Sequence, residues 1–139
     1  MESLDLYMIA EANGVEVFRY PMTEQGSSST MQDSGDCYIA IAPDAFEDSD
    51  IERMHLAHEL GHCMTGSFFN PHSQLDIREK HERKANVWAF KQVVPLEALE
   101  KCFRRGLTEP WQMEEVFDVP ARFIRQAMNY YQNVRPLGT

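Results

Sequence analysis

Residues 56–62 read LAHELGH and lie within a stretch whose apolar residues recur with helical spacing from Ser49 onward. The segment contains an HExxH motif, in which His58 and His62 are four residues apart. On a helix this spacing puts both imidazoles on one face, about 6 Å apart, so that both can reach a single Zn²⁺ at about 2.1 Å. Glu59 stands beside them, where it can take a proton from a zinc-bound water. The stretch therefore predicts a helix that binds a catalytic zinc ion.

Two histidines leave such an ion one protein ligand short, because catalytic zinc sites use three protein ligands and one open position. The histidine and acidic side chains that the sequence places within reach are His55, His72, Asp76, Glu79, His81 and Glu82. Glu82 fits best because it falls on the next long predicted helix. Asn86 follows one turn later with Ala85 and Ala89 on either side of it, and small residues there would let this helix approach the HExxH helix closely.

The sequence leaves alternatives to Glu82 as the third metal ligand. His55 lies about 10 Å of helical rise before the second motif histidine and cannot share one ion with both motif histidines. His81 is an alternative ligand next to the favoured glutamate. That glutamate could instead form a surface salt bridge with Arg78 or Arg83, a contact that contributes little stability.

Further side chains could orient the ligands or stabilise charge. Asn86 lies one turn after Glu82 and could accept the second ring N–H of a ligand histidine through its amide oxygen. Most hydrolytic sites also need a group that stabilises an oxyanion. The candidates for that group are His55, Tyr38 and His72.

The periodicity of the whole chain predicts a small α+β fold. The predicted helices are 3–12, the motif helix from Ser49, 77–93, 95–104, 110–117 and 120–132, and the predicted strands are 14–20, 28–32 and 37–42. The strands would form one sheet of about three strands, packed on the HExxH helix and the glutamate helix. A chain of 139 residues suits a single domain, 1–139, with a helical tail at about 95–135.

The net charge of −9 is unevenly distributed, with −11 on residues 1–52 and +2 on residues 53–139. An acidic half argues against direct binding of nucleic acid and suits a basic protein partner, although it also fits a solvated surface. A DNA-binding helix-turn-helix at 110–132 is disfavoured because acidic residues accompany its two arginines. No apolar run approaches the about 20 residues of a membrane helix.

The three cysteines Cys37, Cys63 and Cys102 form no CxxC pair and cannot all pair internally. Together with an N-terminal stretch that lacks Lys and Arg, and so does not look like a secretory signal, they predict reduced thiols and a cytoplasmic location. Cys63 should face away from the metal as a small core residue, because it is rotated about 100° from the preceding histidine. The other two cysteines are also predicted to be buried.

Three segments of the chain together carry a family resemblance. They are LAHELGHCMTGSFFN at residues 56–70, KHERKANVWAFKQVVP at residues 80–95, and GLTEPWQMEEVFDVPARFIRQAMNYY at residues 106–131. The first two resemble the LAHELGH helix and the E-x-x-A-N-x-x-A helix, followed by Pro, of the ImmA/IrrE family of metallo-endopeptidases. The third is similar to the closing segment of that family, but Gln112-Met113 stands where a Leu-Ala pair is expected, which predicts a docking surface different from the family's. The resemblance covers nearly the whole chain.

The resemblance implies a zincin-like fold of the gluzincin type, with one Zn²⁺ held by His58, His62 and Glu82 and with Glu59 as the base. Family members typically cleave a helix-turn-helix repressor encoded nearby in a mobile element, prophage or stress operon, which releases transcription. Such a substrate would add an extended strand at a sheet edge beside the HExxH helix, and strand 37–42 is the predicted edge.

Two other functions are compatible with the same residues. The chain could be a binding module that keeps the zinc fold and sequesters its repressor without hydrolysis, or it could be a general peptidase or toxin domain. Its small size favours the regulatory peptidase over the general one. Glu59 does not separate the peptidase from the binding module, since only its loss would mark an inactive enzyme.

Overall fold

The structure is a computed structural model that describes residues 3–19, 27–31, 35–41, 49–67 and 74–134. It confirms a small α+β fold, with helices that begin and end close to the predicted positions. The helices are α1 (Ser3–Ala12), α2 (Ser49–Thr65), α3 (Leu75–Val93), α4 (Leu96–Arg104), α5 (Glu114–Phe117) and α6 (Ala121–Val134), and the strands are β1 (Glu16–Arg19), β2 (Ser27–Met31) and β3 (Cys37–Ile41). A 3₁₀ turn at Pro110–Met113 leads into α5. Within these residues, none of the helices combines the length and the apolar character that a membrane span requires.

β3 is the central strand of the sheet, which has the order β1-β3-β2. β1 runs parallel to β3, with Val17 opposite Ile39, and β2 runs antiparallel to β3, with Ser29 opposite Ile39. The prediction that strand 37–42 forms the substrate edge is therefore wrong, because β3 has a hydrogen-bonded neighbour on each side. Among the described residues, β1 and β2 are the edge strands.

The alternation of side chains along β3 decides which face of the sheet is buried. Cys37, Ile39 and Ile41 are buried, whereas Tyr38 and Ala40 are partly exposed, because successive strand residues point to opposite faces. The buried face lies against α2 and shares one hydrophobic core with it. The buried apolar side chains that α2 contributes are Leu56, Ala57 and Leu60.

α2 and α3 meet where Gly61 faces Ala85. A Cβ atom added to Gly61 would lie 2.2 Å from the carbonyl oxygen and 2.8 Å from the carbonyl carbon of Ala85. These distances are well inside the about 3.5–4.0 Å at which nonbonded carbon atoms pack, so only glycine fits at this crossing. Ala85 and Ala89 are fully buried, as expected if small residues bring the two helices together.

Cys37 and Cys63 form a disulfide that joins the start of β3 to the end of α2, with their Cα atoms 5.9 Å apart. The prediction of three reduced thiols is therefore wrong. The pairing arises from the contact of two segments that are 26 residues apart in sequence, and cysteine spacing alone does not determine such a contact. Cys63 packs against the core, as predicted, but it is only partly buried. Cys102 is a buried free cysteine, and burial raises the pKa of its thiol.

The C-terminal helices cover α3 and reach α2. The rings of Phe90 in α3 and Phe123 in α6 pack edge to face, with their centroids 5.3 Å apart. The hydroxyl of Tyr131 donates a hydrogen bond to the carbonyl oxygen of Val94 at 3.0 Å. Arg53 of α2 is fully buried, and its Nε donates to the carbonyl oxygen at the end of α5 at 3.0 Å. The tail is therefore attached to both helices of the central pair.

Gly61→Ala is expected to lower the free energy of unfolding by about 1–3 kcal/mol, because the added methyl group must push the α3 backbone away from α2. Urea unfolding followed by circular dichroism measures this difference. Lys84→Ala is the matched control, since Lys84 is exposed on α3 next to Ala85 and should change the stability by less than about 0.5 kcal/mol. Equal stability of the two variants would contradict the close packing of the two helices.

Candidate metal centre

Three side chains from α2 and α3 converge at one point. His58 and His62 project from α2 with their Nε2 atoms 3.3 Å apart. Glu82 of α3 places Oε2 3.0 Å from Nε2 of His58 and Oε1 3.0 Å from Nε2 of His62. Among the described residues, these three form the group of histidine, cysteine and acidic side chains that could hold a metal ion. His81, the alternative ligand, is not part of that group.

A hydrogen bond at the far nitrogen of each imidazole orients the ring. Nδ1 of His58 lies 2.7 Å from Oδ1 of Asn86, and Nδ1 of His62 lies against the carbonyl oxygen of Ser67. Both partners are acceptors, so each Nδ1 carries a proton and donates it. In the neutral rings both Nε2 atoms then present a lone pair toward the carboxylate of Glu82. The bond from His58 to Asn86 is the contact that the position of Asn86, one turn after Glu82, predicted.

The turn after α2 supplies the carbonyl group that orients His62. Ser67 is only 1% exposed, and its backbone N–H donates to the carbonyl oxygen of His62 at 3.1 Å. The hydroxyl of Thr65 lies 2.7 Å from the carbonyl oxygen of Gly61 and 2.6 Å from Oγ of Ser67. Gly66 ends the helix with a φ of 65°, a conformation that favours glycine. Gly66 signals a helix end in the sequence, but no sequence signal identified Ser67 as the partner of a ligand.

The electrostatics of the cluster favour a positive charge at its centre. Burial is the largest single effect and lowers the pKa of His58 and of His62. The hydrogen bond to Glu82, together with the charge of Glu82 and the hydrogen bonds to Asn86 and Ser67, more than offsets burial, so the pKa of both rings is raised. Hydrogen bonds from His58 and His62 in turn hold the pKa of Glu82 far below its usual range. Two imidazole lone pairs and a carboxylate otherwise repel one another, so the cluster needs either added protons or a cation.

The spacing of the three ligand atoms suits a tetrahedral metal ion. When ligands lie about 2.0–2.1 Å from a tetrahedral ion, neighbouring ligand atoms are about 3.3–3.4 Å apart. The observed separations of 3.0, 3.0 and 3.3 Å are close to this value. Imidazole nitrogens suit zinc, copper, iron or nickel better than calcium or magnesium. The cluster can therefore hold such an ion through three protein ligands with one position left open.

Glu59 and His55 lie beside this cluster on α2. Glu59 is buried, with 6% of its surface exposed, and its charge acts on both His55 and His58. Burial lowers the pKa of His55, and the nearby positive groups His58 and Arg122 lower it further, while Glu59 only partly offsets these effects. At pH 7 the imidazole of His55 is therefore neutral, and it lies close to Glu59. His55 remains a candidate for the residue that stabilises an oxyanion.

The other two residues predicted as possible stabilisers of an oxyanion are Tyr38 and His72. Tyr38 stacks on Phe18, with the ring centroids 6.1 Å apart. Strand alternation directs Tyr38 to the face of the sheet opposite the one that Cys37 and Ile39 present to α2, which does not favour its predicted role as an oxyanion stabiliser. His72 lies outside the described residues.

Comparisons of the chain with known protein families, with curated proteins and with solved structures give no match. The resemblance to the ImmA/IrrE family therefore rests on the motifs of α2, α3 and the tail. Evidence about the function comes from the same motifs and from the geometry of the cluster of His58, His62 and Glu82.

Glu82→Ala should weaken metal retention, because it removes one of the three converging ligands and leaves only the imidazoles. After dialysis against a weak chelator, elemental analysis should find the metal in the wild type and little in the variant. Glu79→Ala is the matched control, since Glu79 is an exposed glutamate on the same helix. Full metal occupancy in Glu82→Ala would assign the third ligand to another residue.

Asn86→Ala should lower the metal affinity about 10- to 100-fold, because His58 loses the acceptor that fixes the direction of its ring. Competition with a chromogenic chelator measures this affinity. Asn86→Asp keeps an acceptor oxygen at the same position and should bind the metal at least as well as the wild type. An unchanged affinity in Asn86→Ala would show that other contacts orient His58.

Proposed function

We propose that this protein is a zinc-dependent endopeptidase of the ImmA/IrrE type. The observation that carries the proposal is the convergence of His58, His62 and Glu82, with the buried Glu59 on the same helix as the two histidines. Two imidazoles and one carboxylate are a ligand set of catalytic zinc in peptidases, whereas structural zinc sites have four protein ligands. The set leaves one position for water or substrate.

The fold supports the same proposal. α2 carries both motif histidines and packs on the sheet, and α3 crosses it closely enough to contribute Glu82. This arrangement is the one expected for a zincin-like fold of the gluzincin type, in which a second helix supplies the third ligand. Zinc is the proposed ion because it accepts imidazole and carboxylate ligands together in tetrahedral sites and takes part in no redox chemistry.

In the proposed mechanism Glu59 moves the proton. A zinc ion bound in the cluster would supply a Lewis acid that polarises the scissile carbonyl and makes water more acidic. The carboxylate of Glu59 takes a proton from the attacking water and passes it to the departing amine. His55, which is neutral at pH 7, is the described candidate to donate a hydrogen bond to the developing oxyanion.

The proposed substrate is a helix-turn-helix repressor encoded nearby in a mobile element, prophage or stress operon. The net charge of −11 on residues 1–52 would attract a basic DNA-binding protein. β2 replaces β3 as the proposed docking edge, since β2 is an edge strand that contacts α2, and an extended segment of the substrate can pair with such an edge. This substrate would place the protein in the cytoplasm, without direct contact to nucleic acid or membrane.

Glu59→Gln is expected to keep the metal but to slow cleavage by about 10²- to 10⁴-fold, because an amide cannot accept the proton. The substrate is the purified repressor encoded next to this protein, and gel electrophoresis with mass spectrometry measures the cleavage products. Glu79→Gln is the matched control, because Glu79 is exposed and outside the metal cluster. It should cleave at the wild-type rate.

One discrete cut by the wild type and by Glu79→Gln, but not by Glu59→Gln, is the outcome that the proposal requires. Cleavage by Glu59→Gln at the wild-type rate would refute the role of Glu59 as the base. If the metal-loaded wild type binds the repressor tightly and leaves it intact, the protein is a binding module that sequesters its partner.

A further inference from the structure

One cysteine of the disulfide between Cys37 and Cys63 directly follows a candidate metal ligand in the sequence. Cys63 directly follows His62 in α2, and Cys37 is the first residue of β3. The bond therefore ties the last turn of the metal-binding helix to the central strand of the sheet. Because consecutive helix residues point about 100° apart, Cys63 can face the sheet while His62 faces Glu82.

A cavity gives small molecules access to this bond. Its volume is about 250 Å³, close to the lower end of the about 300–1,000 Å³ typical of small-molecule pockets, and both cysteines line it. The exposed residues that also line it are Asn13, Gly14, Gly35, Asp36 and Met64. Cys63 is partly exposed, whereas only 5% of Cys37 is exposed. Of the two cysteines, Cys63 is therefore the more exposed to a group that enters the cavity.

The turn that follows Cys63 also carries the group that orients His62. Three residues separate Cys63 from Ser67, whose carbonyl oxygen accepts the Nδ1–H of His62. Backbone and side-chain hydrogen bonds close this turn onto the end of α2. The disulfide fastens to β3 the last turn of α2, which leads directly into this turn. A change in the attachment of the turn would therefore change the position of the carbonyl group on which His62 rests.

We propose that the bond between Cys37 and Cys63 is a site of thiol–disulfide exchange with a small thiol, and that its redox state sets how tightly the metal is held. In the oxidised form the turn stays fastened to β3 and the metal is retained. In the reduced form the turn is released, His62 is less well oriented, and the metal dissociates faster. The inference rests on the metal site and is independent of peptide cleavage.

The exchange conserves atoms and electrons. The thiolate of the small thiol attacks Sγ of Cys63, the bond to Cys37 breaks, and Cys37 leaves as a thiolate that takes up a proton. A second small thiol attacks the sulfur of the first in the mixed disulfide, which releases Cys63 as a thiol. The protein gains two electrons and two protons, and the two small thiols are oxidised to their disulfide. That disulfide reverses the reaction.

Glutathione, a tripeptide thiol, is the probe for the test. The zinc-loaded full chain is equilibrated at a series of ratios of reduced to oxidised glutathione, and the glutathione is then removed without exposure to air. Alkylation with mass spectrometry counts the thiols at Cys37 and Cys63, and a chromogenic chelator measures the rate of zinc dissociation. The two thiols should appear together, zinc should dissociate about 10-fold faster or more, and reoxidation should restore the slow rate.

Three variants sharpen the test. The double variant Cys37→Ser with Cys63→Ser should release zinc at the fast rate at every glutathione ratio. Cys102→Ser, which removes a buried free thiol, is the matched control and should follow the wild type. Cys37→Ser alone should accumulate a glutathione adduct on Cys63 in oxidised glutathione, which shows that the cavity admits glutathione to this sulfur. Circular dichroism checks that each variant folds, and the wild-type titration carries the test if the double variant does not.

Equal rates of zinc dissociation from the oxidised and reduced wild type would overturn the proposal. A Cys37→Ser variant that forms no adduct on Cys63 in oxidised glutathione would also overturn it, because the cavity would then give no access to that sulfur. Redox-dependent zinc release from a protein that cleaves no repressor would support the exchange site and count only against the peptidase proposal.

Discussion

The close crossing of α2 and α3 is the constraint on which the candidate metal centre depends. Gly61 lets the backbone of Ala85 lie against α2, and this separation brings the carboxylate of Glu82 within 3.0 Å of both imidazoles. A glutamate side chain is short, so a wider separation would leave it in contact with one histidine or with neither. The glycine inside the HExxH segment thus determines ligand geometry although it carries no ligand atom.

The parts of the site that the sequence predicted are those that depend on helical geometry alone. The spacing of His58 and His62 already places both rings on one face, and the spacing of Glu82 and Asn86 does the same on α3. A helix converts such spacing into distance almost without regard to its surroundings. One contact between two helices then suffices to assemble all four side chains, which is why the sequence could identify them together.

The features that the sequence did not predict depend on contacts between distant segments. Alternation along a strand looks the same whether the strand is central or at an edge, so the position of β3 and the direction of Tyr38 could not be read from it. The pairing of Cys37 with Cys63 and the partner of His62 at Ser67 likewise follow from how α2 ends against the sheet. In each case the missing information is the packing of one element on another.

The buried Arg53 makes the C-terminal tail part of the interior. A guanidinium stays charged at any physiological pH, and this one sits inside α2 with its Nε–H directed at the carbonyl oxygen of Phe117. A chimera that took its tail from another protein would have to bring a backbone oxygen to the same spot, or it would leave a buried cation short of an acceptor. The C-terminal tail and the half of the chain that carries the candidate metal ligands can therefore diverge in evolution only by changes that preserve this junction.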